Sequence, residues 1–279
     1  LGNQFLANIR EVDAIAYVLR CFENDDIVHV SGKIDPLTDA EVVETELMLA
    51  DMESLEKRIP SLEKKLRGQD KDAKATIDLI NRALDVLRDG KPARHVEISE
   101  DEKKAFKELN LLTSKPALYI CNVDEDSAAE GNELTKKVEE YAKAQNARMV
   151  IISAEIESQL SQLDDEEQAE FLESLGLEEP GLNRIIREGY KLLNLQTYFT
   201  VGPKEARAWT ITEGTKAPQA AGVIHTDFER GFIRAQTIAY DDFVALGGEA
   251  AAKEAGKARD EGKEYVVKDG DIMLFKFNT

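Results

Sequence analysis

The chain has 279 residues, of which 42% are hydrophobic and 33% charged, a balance typical of a soluble globular protein with two or three domains. Its formal net charge of −19 argues against non-specific binding to a nucleic-acid backbone, because the phosphates would be repelled. No apolar run approaches the roughly 20 residues of a membrane helix, so a cytoplasmic protein without membrane contact is expected. Cys21 and Cys121 lie in apolar runs and are expected to be buried thiols rather than a disulfide.

The first segment, residues 1–38, begins with a helical pattern and continues into an apolar run at residues 14–22. Only Arg20 interrupts this run, which predicts a central strand. Further along, His29 stands between β-branched residues, where a structural role is expected rather than a catalytic one. The chain starts at Leu1 instead of Met, and we expect it to be part of a longer protein.

Residues 39–110 have a different sequence pattern from the first segment. Apolar residues recur there mostly every three to five positions among Glu, Lys, Arg and Asp. This pattern predicts an amphipathic helix, a break at residues 67–70 and a second helix as far as Leu87. Pro60 is expected to kink the first helix. Two helices joined by a short turn predict an intramolecular coiled-coil hairpin, whose charged faces are either solvated or dock a protein.

Residues 111–193 return to an alternation of strands and helices. The apolar run 117–121 predicts a buried parallel strand that ends at Asn122, and the run 149–152 predicts a second strand. Ligands of open α/β sheets bind beyond the carboxyl ends of strands, so the two strand ends predict one ligand-binding rim. Helices are predicted at residues 133–145, 164–175 and 181–193. The acidic residues 164–167 are read as a helix N-terminal turn and not as a metal cluster.

Residues 194–279 contain several short strands and predict a compact β-grasp domain similar to ubiquitin. Strand-like runs flank Gly202-Pro203 as in a hairpin, and His225 with Asp227 is read as a loop entering a helix rather than a catalytic dyad. With 11 Lys and Arg against 13 Asp and Glu, this segment is the better candidate for an RNA contact. Its candidate basic contacts are Arg207, Arg230, Arg234, Lys253, Lys257 and Arg259.

No catalytic or metal-binding constellation stands out in the sequence. It has no Cys/His pair at metal-ligand spacing, no G-x-S-x-G elbow and no G-x-x-x-x-G-K-[ST] phosphate loop. We therefore assign no catalytic residue and no metal ligand within these 279 residues.

The candidate binding residues follow the first strand end, in the sequence Asn122-Val123-Asp124-Glu125. GTPases carry N-K-x-D at such a position, and its Asp accepts hydrogen bonds from guanine. Here the Lys is absent and the acid is longer, which indicates a changed base preference. An Asn carbonyl and a backbone N–H would suit the amine donor and ring acceptor of adenine, so Asn122 and the backbone of Val123 are expected to read the base. Glu125 is expected to orient the loop or limit guanine binding; alternatively, Asn122 merely caps the following turn.

Together these features resemble the YchF family, the Obg-like ATPases of the translation-factor class of P-loop NTPases. The resemblance covers essentially the whole chain, and its C-terminal module looks like a TGS domain. The longest local matches lie at residues 1–10, 20–30, 181–184, 195–200 and 221–228.

The resemblance implies an α/β fold with three parts. Residues 1–38 and 111–193 would form part of a Rossmann-like P-loop NTPase domain, residues 39–110 an inserted coiled-coil hairpin, and residues 194–279 the TGS domain. Family members begin with a phosphate loop, a switch region and a D-x-x-G segment, and Leu1 aligns just after the last of these. The phosphate-binding Lys and the magnesium ligands are therefore expected outside this chain.

The resemblance also implies a function, a ribosome-associated and monomeric switch that uses Mg²⁺ and hydrolyses ATP in preference to GTP. Ser153, Ala154 and Glu155 would form the second loop beside the base. The chain alone is expected to be inactive. One alternative is a non-catalytic adaptor that binds the ribosome or RNA through residues 194–279 and the hairpin. Another is a purely structural adaptor that binds no nucleotide.

Overall fold

The computed structural model describes residues 2–24, 26–28, 32–68 and 71–278. The predicted role of His29 and part of the predicted helix break at residues 67–70 lie outside the described residues. The chain divides into two compact units, Leu1–Leu192 and Leu193–Thr279. The predicted start of the C-terminal domain, residue 194, lies next to this division.

The first unit is built around a parallel sheet whose strands are ordered β1-β2-β3. Its middle strand is buried from Ala117 to Cys121, as the continuous apolar run predicted. The run at residues 14–22 was expected to be a central strand, but among the described strands β1 lies at the sheet edge and Val18 is 68% exposed. An apolar run indicates that a strand can be covered, but not which neighbour pairs with it. The strands are β1 (Ile15–Arg20), β2 (Ala117–Asn122) and β3 (Arg148–Ile152).

Helices cover both faces of this sheet. One face packs against residues of α2 and α5, including Leu47 and Val138, and the other packs against Ile185 and Leu192 of α8. The predicted helices at 133–145, 164–175 and 181–193 are confirmed within one or two residues. The helices described in this unit are α1 (Asn3–Glu11), α2 (Pro36–Arg67), α3 (Lys71–Arg88), α4 (Lys103–Glu108), α5 (Glu133–Ala144), α6 (Ala154–Leu160), α7 (Asp165–Ser174) and α8 (Gly181–Leu192).

The long helix α2 packs against α3, and Arg88 at the end of α3 lies 3.0 Å from Glu56 of α2. Asp35 caps α2 by accepting a hydrogen bond from the Thr38 N–H, and Pro36 occupies the first turn, where its missing donor costs nothing. The helix continues through Pro60 to its end at Arg67. The predicted pair of packed helices is therefore present, and the proline does not interrupt the first one.

A buried carboxylate joins α2 to the segment that enters β2. Asp51 is fully buried and accepts three hydrogen bonds, from the backbone N–H of Leu112 (2.8 Å) and from the N–H (2.8 Å) and hydroxyl (2.7 Å) of Thr113. The Thr113 hydroxyl oxygen in turn accepts from the Ala93 N–H at 2.9 Å. These bonds fix the position of the helix pair against the sheet, because each would leave a buried donor unsatisfied if it were broken.

The second unit contains a mixed sheet with the strand order β5-β4-β8-β6-β7, in which β4 and β8 are parallel. Helix α9 packs its Ala220 and Ala221 against the face that carries Tyr198 and Phe275. The predicted hairpin around Gly202 and the later strands are confirmed, whereas the TGS assignment stays a prediction. The elements are β4 (Leu195–Val201), β5 (Ala206–Thr212), α9 (Ala217–Ile224), α10 (Thr226–Arg230), β6 (Phe232–Ile238), α11 (Tyr240–Leu246), α12 (Glu249–Glu254), β7 (Arg259–Glu261) and β8 (Ile272–Phe277).

Two predictions from composition can be checked against the described residues. Cys21 and Cys121 are free thiols and fully buried, as expected. Within the described ranges, no helix combines the length and the apolar character that crossing a membrane requires.

Candidate nucleotide-base site

The predicted rim is formed where β1, β2 and β3 end. Asn122, the last residue of β2, is half-buried, and its Oδ1 accepts a hydrogen bond from the Ala154 N–H at 2.9 Å. The N–H of Val123 donates to the Ile152 carbonyl at 2.8 Å, and the Asn122 carbonyl accepts from the Cys21 N–H at 2.8 Å. The three strand ends are therefore connected by short hydrogen bonds, and Asn122 lies at their centre.

These bonds decide which atoms of the predicted base loop are available to a ligand. The side-chain oxygen of Asn122 and the N–H of Val123 are both engaged inside the protein. The Asn122 Nδ2 group and the Val123 carbonyl have no hydrogen-bond partner among the described residues. Asn122 does not cap the following turn, because Asp124 takes that role by accepting from the Ser127 N–H at 3.0 Å. What remains is a donor on the half-buried Asn122 and an acceptor on Val123, a residue that is 2% exposed.

The second strand end begins a helix that the sequence did not predict. Residues 153–155 were read as a loop, but Ser153 precedes α6, and Ala154 and Glu155 are exposed residues of its first turn. Ser153 is 2% exposed and its hydroxyl oxygen has no hydrogen-bond partner among the described atoms. An unpartnered buried hydroxyl is uncommon in folded proteins, so the site contains a second polar group besides the Asn122 amide that is not satisfied by the fold.

Glu125 follows Asn122 and is bonded to helix α6 through its side chain. It is the exposed first residue of a short 3-10 turn, Glu125–Ser127, and its Oε1 accepts from Nε2 of Gln159 at 2.6 Å. The same Nε2 lies 3.5 Å from Oε1 of Glu155. The structure therefore brings together all six predicted residues and adds Gln159, for which no sequence spacing gave a signal.

Arg20 is a further residue at this rim whose role the sequence did not reveal. Its guanidinium donates to three carbonyls of the loop after β1, those of Phe22 (3.2 Å), Asn24 (2.9 Å) and Ile27 (2.9 Å). The signal in the sequence was a single charged residue inside an apolar run. Because a guanidinium offers five donors in a fixed plane, one side chain is enough to shape this loop.

Helix α6, which follows the rim, is hydrogen-bonded to the first turn of α8. Both carboxylate oxygens of Glu157 on α6 accept from the first N–H groups of α8, those of Gly181 (2.6 Å) and Leu182 (3.1 Å). A Cβ at Gly181 would lie only 2.8 Å from Cγ2 of Ile152, so this close packing requires glycine. The negative charge of Glu157 is also stabilised by the positive end of the α8 helix dipole.

The acidic and histidine-containing motifs have structural roles. Asp164 caps α7 by accepting from the N–H groups of Glu166 and Glu167, as the helix-start reading predicted. His225 Nδ1 accepts from the Asp227 N–H at 3.1 Å and caps α10. In the part of the chain that the structure describes, no three His, Cys, Asp or Glu side chains are grouped to hold a metal ion.

The six predicted basic contacts of the second unit do not form a free positive patch. Arg207 stacks over the Trp209 ring at 4.1 Å, and Arg230 is exposed without an ion pair to a described residue. The other four are paired with acids: Arg234 with Asp260 (3.2 Å), Lys253 with Glu249 (2.5 Å), Lys257 with Asp242 (3.0 Å) and Arg259 with Glu261 (3.0 Å).

Comparison with known proteins first defines the class. The fold matches a GTP binding protein from Pyrococcus horikoshii OT3, with a TM-score of 0.64 and 19% identity over 98% of this chain and 81% of that one. A closer match is the Schizosaccharomyces pombe YchF GTPase, with a TM-score of 0.88 and 37% identity over 99% of this chain and 75% of that one. The chain thus has the mixed α/β fold of these GTP-binding proteins.

The sequence comparisons identify the family. Curated proteins named ribosome-binding ATPase YchF are 57% identical in Pasteurella multocida and 53% identical in Bacillus subtilis, and each match covers all of this chain and 77% of the relative. Residues 195–278 match the family model YchF-GTPase_C, described as a protein of unknown function (DUF933). The chain belongs to the YchF family.

Proposed function

We propose that the protein is a ribosome-associated ATPase whose base-recognition site is the rim around Asn122. The curated relatives carry the name ribosome-binding ATPase. The single observation that supports the site in this chain is the hydrogen bonding of Asn122 where β2 and β3 end. The Asn122 oxygen holds the Ala154 N–H at 2.9 Å, while its Nδ2 group is left without a partner.

The free groups at the rim fit adenine. Adenine has a ring-nitrogen acceptor next to an exocyclic amine donor, so it needs one donor and one acceptor from the protein. We assign the donor to Nδ2 of Asn122 and the acceptor to the Val123 carbonyl, because the Val123 N–H is already bonded to Ile152. Ser153 and the first turn of α6, with Ala154 and Glu155, form the second side of the site. Glu125 is the carboxylate that would favour guanine if it faced the base.

Hydrolysis is proposed to need groups that these residues do not supply. The chain has no G-x-x-x-x-G-K-[ST] sequence to hold the phosphates, and no three of its described His, Cys, Asp or Glu side chains are grouped to hold a metal ion. Phosphoryl transfer depends on positioning and on charge stabilisation at the phosphates, so we expect the chain alone to be inactive. In this proposal residues 1–38 and 111–193 are part of the nucleotide-binding domain.

The other parts of the chain are proposed to make the ribosome contact. The helix pair at residues 39–110 would be the coiled-coil insertion and residues 194–279 a TGS domain, and we expect a monomer in the cytoplasm. Of the six candidate basic contacts, Arg230 and Arg207, which stacks on Trp209, are the two that have no ion pair with a described acid. A contact with ribosomal RNA would use these first.

The site can be tested by binding of fluorescent ATP and GTP, with Mg²⁺, to the full-length protein that contains these 279 residues. Asn122→Ala should lose the preference for ATP, but it also removes the acceptor for Ala154. Asn122→Asp keeps an oxygen for the Ala154 N–H, replaces the Nδ2 donor by an acceptor and adds a negative charge, so it changes base reading while keeping the hydrogen bond between the strand ends. We expect ATP affinity to fall about tenfold in Asn122→Asp, the value of one hydrogen bond lost at a polar site.

The matched control is Asn183→Ala, an exposed asparagine of α8. It should leave both affinities unchanged. Wild-type protein that binds neither nucleotide would contradict the ATPase proposal and leave the adaptor as the better account. ATP preference that survives in Asn122→Asp would place base recognition elsewhere.

A further inference from the structure

Gln159 is the side chain that fixes the direction of Glu125. We propose that Gln159 is a specificity-determining positioning residue, which holds the Glu125 carboxylate toward α6 and so prevents it from accepting hydrogen bonds from guanine. The observation is the short bond from Gln159 Nε2 to Glu125 Oε1, 2.6 Å, between residues 34 positions apart in the chain. The inference rests on the base site proposed above and adds the group that sets its preference between two nucleotides.

The backbone around Glu125 leaves only its side chain free to move. The Asp124 cap at Ser127 and the 3-10 turn Glu125–Ser127 fix the main chain. Glu125 is exposed, and no described Lys or Arg pairs with it. Its carboxylate could therefore turn by rotation about side-chain bonds, and the amide of Gln159 is the donor that opposes this rotation.

Gln159 itself is held in place by the helix that carries it. Its neighbours on α6, Ile156 and Leu160, are 1% and 4% exposed, and the helix start is bonded to Asn122. Hydrogen bonds from an amide to a carboxylate are stronger than neutral ones, because the acceptor is charged. Glu155 lies 3.5 Å from the same Nε2, so this amide faces two acidic side chains and also reduces the repulsion between them.

The chemistry of the two bases explains why the direction of Glu125 matters. Guanine presents a ring N–H and an exocyclic amine side by side, and one carboxylate can accept from both. Adenine presents a ring-nitrogen lone pair at the corresponding place, which a carboxylate repels. Releasing Glu125 should therefore strengthen GTP binding and weaken ATP binding, whereas holding it on Gln159 removes both effects.

The test measures dissociation constants of fluorescent ATP and GTP for the full-length protein and three variants, all with Mg²⁺. Gln159→Leu keeps most of the side-chain volume and removes the donor. We expect GTP to bind more tightly and the ratio of GTP to ATP dissociation constants to fall about tenfold. Gln162→Leu, an exposed glutamine whose amide donates only to Ser161, is the matched control and should leave the ratio unchanged. Gln159→Leu combined with Glu125→Gln should restore the ratio toward the wild-type value, because the freed carboxylate is then absent.

Three outcomes would overturn the inference, and they differ from failure of the base site. If wild-type protein prefers ATP but Gln159→Leu keeps its ratio, Gln159 does not set specificity. If Gln159→Leu weakens both nucleotides equally, its role is only to support α6. If the ratio falls but Glu125→Gln does not restore it, the effect does not act through Glu125. A different pair of results would support the base site and reject only this inference. In that case Asn122→Asp loses its preference for ATP, while Gln159→Leu keeps the wild-type ratio of dissociation constants.

Discussion

The two units hold their charged groups in different ways. In the first unit Asp51 is fully buried with three hydrogen bonds, and Glu44, 3% exposed, is bonded to Arg94 (2.5 Å) and to the Tyr141 hydroxyl (3.0 Å). In the second unit the buried Asp271 accepts from residues within six positions of it, Tyr265 and Lys268, and pairs such as Arg234–Asp260 lie on the surface with both side chains at least half exposed. Buried carboxylates with complete partners fix the geometry of a fold, whereas exposed pairs mainly set the surface charge.

The largest effect is expected from Asp51→Ala. The substitution leaves the N–H groups of Leu112 and Thr113 buried without acceptors, and it opens a cavity where α2 meets the entry to β2. We expect the free energy of unfolding to fall by about 3 kcal/mol or more, measured by urea denaturation with far-UV circular dichroism. The control is Glu53→Ala on the same helix, whose exposed carboxylate pairs only with Lys57. A loss for Asp51→Ala no larger than that of the control would show that the buried bonds do not stabilise the unit.

An intermediate effect is expected from Tyr265→Phe in the second unit. The Tyr265 hydroxyl donates to Asp271 at 2.7 Å, and Asp271 is 2% exposed and also accepts from the Lys268 N–H. Removing the hydroxyl should cost about 1–2 kcal/mol. Trp209 is the only tryptophan among these 279 residues and lies in the second unit, so its fluorescence during urea denaturation reports on this unit.

The same variant has a predicted pH dependence. Burial, and then the bond to Asp271, raises the pKa of Tyr265 to about 12, above the value of about 10 in an unfolded chain. A raised pKa means that the stabilisation is fully present below the unfolded pKa and is lost as the pH rises through the folded one. The stability difference between wild type and Tyr265→Phe should be constant up to about pH 9 and should shrink between pH 10 and 12. A difference that grows over this range would contradict the assignment.

Much of the fold could be predicted because the signals are local. The uninterrupted apolar residues 117–121 predicted β2, and the spaced apolar residues of 39–87 predicted two packed helices. Helix α6 was missed because it has seven residues and only two buried ones, Ile156 and Leu160, which is too short a pattern to separate from a loop. Short elements gain their stability from packing and not from their own sequence.

Local sequence patterns were also insufficient to predict how the residues of the candidate site are bonded. Residues 122–125 and 153–155 were predicted from strand ends, but the use of their atoms depends on partners from distant positions. The Asn122 oxygen is engaged by Ala154 and the Glu125 carboxylate by Gln159, bonds that span 32 and 34 positions of the chain. No spacing rule relates such residues. For the same reason the sequence predicted six basic contacts on the second unit without the acids that pair with four of them.

The smallest effect on stability is expected at one of these exposed pairs, in Asp260→Asn. The partners Arg234 and Asp260 are 55% and 50% exposed, so loss of the pair should change the free energy of unfolding by less than about 1 kcal/mol. Binding should respond more, because the variant releases a positive charge that Asp260 now neutralises. If this face of the second unit contacts ribosomal RNA, ribosome affinity should rise and its dependence on salt should steepen.

The control for that measurement is Glu213→Gln, which changes the net charge equally but releases no paired arginine, because Glu213 is exposed and has no described ion pair. Sedimentation with ribosomes at several salt concentrations would separate the two variants. A stronger salt dependence in Asp260→Asn alone would place Arg234 at the RNA contact. Equal behaviour of the two variants would exclude Arg234 and leave Arg230 and Arg207 as the next of the six candidates to test, since neither depends on removing an acid to become available.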